Sequence, residues 1–481
     1  MRYNLIQTSF IFQIFFLTGI GVGSFYTLDN NINLILLIIL IMLFYFWRNF
    51  KIWIILVSLI AFLLGGYYIN NHLTNYTSLQ KIVMNENKTN FQVTIKSYPK
   101  KFNLEYQYKV QILNTKTYMH IKLNNGDFKI GDILDIKGKI GKLPKESTRK
   151  YLISKNVHNY FQIESYTKVA SQCNLNCQFI NHIYEFKSRI LNMLDFAYPG
   201  KVGEFLKGIL IGYTDTLPDN IKDEFKKTGI SHILAVSGYN VSLIVIFVYQ
   251  FLQDRQIHRN KSLPITLLII LIFTILTGAE ASIIRASVFA SIILIAEYTQ
   301  RYVGGLRPLI LTAFLMNIFF PVYIIFDIGF QLSFLAVIGL LFYSNLFTTF
   351  SQGLPSLTLK NLIGETIAAQ IMVLPILIYH FQEISLISIV ANAFIVPFIP
   401  FFMLYGSISS IVYSLIFTTK IITYPLEILI ELILWLNAQL ATLPYSTITV
   451  PKPNILYLII IYFILYYIGY IIRKINKSKL T

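Results

Sequence analysis

Long apolar runs joined by short polar links dominate this chain. They recur near 5–28, 32–47, 52–69, 231–252, 264–278 and 282–297, and again near 308–325, 329–346, 361–380, 384–417, 424–443 and 454–473. A spanning helix needs about 20 mostly apolar residues, so the pattern predicts a polytopic α-helical membrane protein with about 11–12 transmembrane segments. The proline-bearing runs leave the count open. Over 90–170 the period changes to short alternating stretches, FQVTI, YKVQIL, YMHIKL and DILDIKGKI, punctuated by Gly126, Gly131, Gly138 and Gly141. Such alternation predicts an inserted small β-barrel of about five strands, OB-like in type. Helical periodicity with mixed charge returns from Phe179 to Leu210. A further amphipathic helix follows Pro218, which suits a first helical turn, and stops at Gly229. These read as interfacial helices on the outer face of a membrane. The predicted order is helices over 1–72, the barrel over 75–170, interfacial helices over 179–230, a transmembrane core over 231–473 and a basic tail over 474–481.

Composition agrees with that pattern: 55% of residues are hydrophobic and only 13% charged, which excludes an ordinary soluble domain. The first apolar run is long and is followed by two more after short links, so it reads as an uncleaved anchor rather than a signal peptide. Arg48 and Lys51 put the link between the second and third runs in the cytoplasm by the positive-inside rule. Arg255, His258, Arg259 and Lys261, then Arg301 and Arg307, and finally Arg473, Lys474, Lys477 and Lys479 mark further cytoplasmic segments. Both termini are then cytoplasmic and the barrel lies outside.

The net charge of +17 is uneven, because residues 75–170 hold 17 Lys or Arg against 7 Asp or Glu. That excess suits a polyanion outside the cell; it also follows from a Lys-, Asn- and Ile-rich composition alone. Lys100, Lys101, Lys137 and Lys139 are the candidate contacts. Phe91, Tyr98, Phe102, Tyr106, Tyr108 and Phe128 either stack bases or fill the barrel core. Cys173 and Cys177, the two cysteines of the chain, form either a disulfide or two free thiols. A zinc site is the weakest option, since His158 and His182 lack a finger spacing.

Polar residues inside apolar runs carry the candidate chemistry. SHILAVSGYN (231–240) brings His232, Ser237, Gly238 and Asn240 to the mouth of a run; TGAEASIIRAS brings Glu280 and Arg285; FDIGFQLSF brings Asp327 and Gln331; AAQIMVLPILIYHFQE brings Gln370 and His380, followed by Asn392. Ionisable groups at membrane depth usually face a bundle interior, a partner or a substrate. Arg285 offers a planar fork suited to phosphate, or pairs internally with Glu280. Asp327 caps the helix starting near Gly329, or lines a pore. Ser237, Gly238 and Asn240 predict a broken helix whose free backbone groups line a cavity. His232 and His380 stand in no triad spacing, the nucleophile-elbow glycine two residues before Ser237 is missing, and no phosphate loop occurs. An enzyme is therefore not expected, nor any cofactor or metal.

These four segments, in this order, resemble the core signatures of the ComEC family, inner-membrane channels of bacterial DNA uptake, most strongly over 200–410. The resemblance implies a bacterial plasma-membrane protein whose outer OB-like domain captures DNA and whose helical core passes a single strand inward. It implies an extracytoplasmic DNA receptor and a cytoplasmic helicase-like motor as partners, and leaves a homodimer open. Many family members continue into a metallo-β-lactamase-like domain. No His-x-His-x-Asp-His signature occurs in this chain, so a separate nuclease is expected. The rival readings are a small-molecule or lipid-precursor transporter, which should show paired broken helices in an internal repeat, and a membrane scaffold.

Overall fold

The computed structural model describes residues 2–24, 50–85, 90–102, 105–113, 115, 117–140, 152–234, 236–301, 305–350, 357–416, 420–444 and 446–478. The predicted run 32–47, with Arg48 and Lys479, lies outside them. In chain order the helices are α1 (Arg2–Gly23), α2 (Phe50–Asn85), α3 (Leu175–Ala197), α4 (Lys201–Ile211), α5 (Asp219–Lys227), α6 (Gly238–Asp254), α7 (Arg259–Leu276), α8 (Ala281–Tyr298), α9 (Leu306–Phe319), α10 (Tyr323–Phe326), α11 (Ile328–Phe350), α12 (Leu357–Phe381), α13 (Ser388–Ile395), α14 (Ile399–Ile416), α15 (Tyr424–Thr442) and α16 (Ile455–Ser478). The strands are β1 (Asn90–Ile95), β2 (Lys100–Phe102), β3 (Glu105–Ile112), β4 (Tyr118–Leu123), β5 (Asp132–Ile140), β6 (Asn159–Ser171), β7 (Glu383–Ser385) and β8 (Thr447–Thr449).

Among the described residues six stretches are long and apolar enough to cross a membrane: Leu56–Thr77, Arg259–Leu276, Ala281–Tyr298, Ile363–Phe381, Ser388–Leu415 and Tyr424–Thr442. Thr8–Gly23, Leu306–Phe319, Ile328–Ser344 and Ile455–Gly469 are shorter apolar helices. Of the twelve predicted runs, six are thus long enough to span and four are shorter apolar helices, 32–47 lies outside the described residues, and 231–252 falls in neither group. Three of the apolar runs are interrupted: 308–325 stops at Phe319 before Pro321, 231–252 becomes α-helical only from Gly238, and 384–417 divides into α13 and α14 across a 3-10 turn at Val396–Phe398.

The chain forms two compact units, residues 1–184 with 302–330 and residues 185–301 with 331–481. In the first, α1 and α2 meet backbone to backbone: a Cβ on Gly19 would stand 2.0 Å from the Phe62 carbonyl oxygen, and one on Gly65 2.1 Å from that of Phe16. Small residues permit this approach between apolar helices. The same unit holds a closed five-stranded barrel. β1 runs antiparallel to both β3 and β5, β3 to β4, and β5 to β6, while β4 and β6 close the ring in parallel; β2 is added to β3. Alternation along the strands fills its interior with Val93, Ile95, Tyr108, Val110, Met119, Ile121, Leu134 and Ile136, all essentially buried. Phe91 and Tyr108 belong to this core, and Tyr106 and Phe128 pack against it. Tyr98 stacks on Tyr184 and donates to Asn181. These five rings are thus committed to packing; the Phe102 side chain lies outside the described residues. Cys173 and Cys177 are joined in a disulfide.

The second unit is built around a core in which Val202, Phe205, Leu206 and Ile209 of α4 and Ile221 and Phe225 of α5 meet Ala391, Ile395, Phe402, Leu426 and Ile430. The interfacial reading of 179–230 did not anticipate this depth of burial for α4. Its Lys207 is only 4% exposed and pairs with Glu204 at 3.0 Å and with Asp195; Glu204 also accepts from Thr216.

Candidate functional site

The 231–240 segment does not enter the helical core as one helix. Ser231–Ile233 forms a short 3-10 turn, Val236 and Ser237 are extended or irregular, and α6 begins at Gly238. Two features hold the break in place. Gly208 of α4 comes so close that a Cβ there would stand 2.3 Å from the Leu234 carbonyl oxygen. Buried Asn240 donates through Nδ2 to the Ile209 carbonyl at 2.9 Å and accepts from Ser237 Oγ at 3.3 Å. The broken-helix expectation therefore has a concrete form, in which an amide side chain replaces a missing backbone partner.

Arg285, on the second turn of α8, lies against that break. Its Nη2 is 2.8 Å from the place a Cβ would occupy on Gly238, and Ala286 is close on the same side. The guanidinium carbon sits 5.9 Å from the ring centre of Phe334. Its Nε is buried and has no hydrogen-bond partner, and no carboxylate forms an ion pair with Arg285 among the described residues. The alternative of an internal Glu280–Arg285 pair is not realised. Glu280 is the exposed N-cap of α8, and five positions along a helix carry a side chain about 140° round the axis, away from the neighbouring i+3 and i+4 positions. The guanidinium and the amino-terminal end of α6 are both positive, so their meeting favours an anion between or beside them.

The other candidates are dispersed. Asp327 Oδ1 accepts the Phe330 amide at 2.8 Å, a helix cap on α11, and Oδ2 is 3.9 Å from Lys155 Nζ. Gln331 follows on the same helix and is half-buried. Gln370 donates to Ser388 Oγ at 2.7 Å, and Asn392 is buried one turn further along α13. His232 is exposed, and His380 sets its ring against Tyr379. Sequence reasoning passed over the polar groups around Gln370: Ser385, Ser388, and Thr228, whose hydroxyl donates to Asn437 Oδ1 at 2.8 Å. An asparagine within the apolar stretch LILWLNAQLA was the available signal.

On the barrel, Lys100 lies on β2 and Lys137 and Lys139 on β5, all exposed, while Lys101 is half-buried. Lys139 is 3.6 Å from Glu164. Burial, with Lys155 nearby, lowers Lys109 to about 8, and its Nζ donates to the Lys155 carbonyl. His120 and His158 are held at about 4, chiefly by burial and also by Lys109. No cluster of three or more His, Cys, Asp or Glu suited to a metal ion occurs among the described residues.

A family model described as Competence protein matches residues 209–475. The chain is 25% identical over 336 residues to ComE operon protein 3 of Bacillus subtilis (strain 168), covering 69% of this chain and 42% of that protein. It is also 25% identical over 287 residues to the uncharacterized protein MG316 of Mycoplasma genitalium, covering 57% of this chain and 68% of that one. The chain thus spans less than half the length of the Bacillus relative. No solved structure matches it.

Proposed function

The chain belongs to the competence protein family, and from that premise we propose that it is a DNA-uptake channel of a bacterial plasma membrane, passing one strand inward. The observation that carries this reading is Arg285: a permanently charged, phosphate-shaped group with a buried, unpartnered Nε and no carboxylate partner among the described residues, set against a helix break in the family-matched region. A structural arginine at such depth is normally paired. A polyanion supplies the missing charge one phosphate at a time, and a single contact is weak enough to release as well as hold.

Two further features support the reading. The apolar helices suit a multi-pass protein. The barrel's circular order β1-β3-β4-β6-β5, with its parallel closing pair, supports the reading of an OB-type barrel, a scaffold used on single-stranded nucleic acid. In this reading Lys100, Lys101, Lys137 and Lys139 gather DNA outside, and the strand passes Arg285 beside Gly238. A receptor outside and a motor inside are, in this reading, separate proteins, and both termini of the chain face the cytoplasm.

The test is uptake of labelled DNA by cells carrying Arg285→Gln, with label inside and label bound outside scored separately. The expected result is loss of internal label by at least tenfold at normal protein level with outer binding intact. Normal import by this variant would remove the channel reading's main support.

A further inference from the structure

The short segment that joins α5 to the broken helix is closed against the β7–α13 corner by small polar groups. Thr228, fully buried, donates to Asn437 Oδ1 at 2.8 Å. Gly229, at φ +72°, lies so close that a Cβ there would stand 2.7 Å from Cβ of Ser388 and 2.8 Å from that of Ser385. Lys226 Nζ reaches Glu383 Oε2 at 3.0 Å across the outside of the seam, with both side chains part-exposed. Two polar atoms shut inside have no partner: Asn437 Nδ2 and Ser385 Oγ.

This is a poor design for a permanent joint. Buried polar atoms are nearly always hydrogen-bonded, and one left unpaired penalises the closed state. The bridge outside is exposed enough to contribute little. No apolar side chain crosses the seam at 228 or 229, whereas Phe225 and Ile230 on either side are fully buried in the apolar core. The flanks are fixed and the middle is held weakly, so parting of 226–229, which frays the last turn of α5, would wet Asn437 and Ser385 while Phe225 stays docked. The seam also adjoins Gln370, which donates to Ser388.

We propose that the seam between residues 226–229 and the Ser385–Ser388 corner is a gate of the pathway, which parts to admit the strand and supplies Asn437 and Ser385 as neutral hydrogen-bonding groups for its sugars and bases. The proposal rests on the channel reading above. The closed arrangement is the resting state, and opening exchanges the Thr228–Asn437 bond for contacts to water or substrate.

The test bridges the seam. In the full-length chain carrying Lys226→Cys and Glu383→Cys, a short disulfide-forming bifunctional thiol reagent joins the two positions, and import of labelled DNA is measured before and after reductant cleaves the bridge. The unsubstituted chain, taken through the same steps, controls for opening of Cys173–Cys177. The gate predicts at least a tenfold lower import when bridged, with outer binding unchanged and import recovered on cleavage. Equal import in both states overturns the gate and leaves the channel reading standing. Absence of import by the unsubstituted chain overturns the channel reading itself and the gate with it. A second measurement is independent of transport: Ser385→Cys is labelled by an impermeant maleimide, alone and combined with Lys226→Glu, which sets like charges across the seam. At least fivefold faster labelling in the combined variant supports the gate. Equal rates in both overturn it.

Discussion

Arg285 and Gly238 are matched by the absence of a side chain: the guanidinium Nη2 lies 2.8 Å from where a Cβ on Gly238 would be. The glycine is half-buried and in an ordinary helical position, so its role is space rather than backbone freedom. An arginine between apolar helices has few places to go, and this one is settled by a neighbour that gives way.

Gly238→Ala is therefore expected to push Arg285 aside and reduce DNA import about tenfold or more at normal protein level, as misplacement by about 1 Å can. Import of labelled DNA checks it. If Gly238→Ala imports normally while Arg285→Gln does not, the close approach is incidental.

Replacing Lys100, Lys101, Lys137 and Lys139 together by Gln should weaken single-stranded DNA binding by the purified full-length protein, most at low salt. For every phosphate that one of these lysines neutralises, its replacement should reduce the log–log salt slope by about 0.7. Titrations at several salt concentrations measure this; an unchanged slope would mean that DNA is captured elsewhere.

Asp327→Ala should cost about 1 kcal/mol through loss of the cap on the Phe330 amide, and Asp327→Asn should keep most of it. Thermal unfolding in detergent reads the difference. Lost import in Asp327→Asn at unchanged stability would show that the carboxylate does more than cap.

Acid should loosen the barrel. His120 and His158 sit at about 4 because burial, aided by Lys109, disfavours the charged ring. Unfolding restores the ordinary value of about 6.5, so the unfolded chain binds more protons between these limits. Their contribution is complete above pH 6.5 and is lost as pH falls towards 4, on the order of 3 kcal/mol for each ring. The barrel's melting temperature followed from pH 7 to 4.5 should fall, and His158→Gln should flatten that fall. A flat profile for the unsubstituted protein would contradict the burial of both rings.

Lys207→Met should destabilise the second unit by about 3 kcal/mol, because it leaves Glu204 and Asp195 facing each other without the buried ammonium. Chemical unfolding measures it. A change below about 0.5 kcal/mol would mean that the cluster behaves as an exposed surface pair.

The sequence alone determined what local pattern can encode. Apolar runs specify helices that suit a membrane and alternation with glycines specifies a barrel, since each depends on neighbours along the chain; the cap at Asp327 was one of two readings, and the bond from the Phe330 amide realises it. The disulfide was one of two readings, and proximity of Cys173 and Cys177 decided it.

Tertiary structure decided what depends on distant partners. Whether Arg285 pairs with Glu280 turns on which way α8 faces, and it faces Arg285 to Gly238 instead. Whether Tyr108 stacks bases or fills a core turns on which side of β3 is inside. Asn437 and Thr228 lie 209 positions apart, and no pattern along the chain foretells that a hydroxyl from one will meet the amide of the other. Hydrophobic periodicity records how much of an element is buried; it carries no record of which polar groups are buried together.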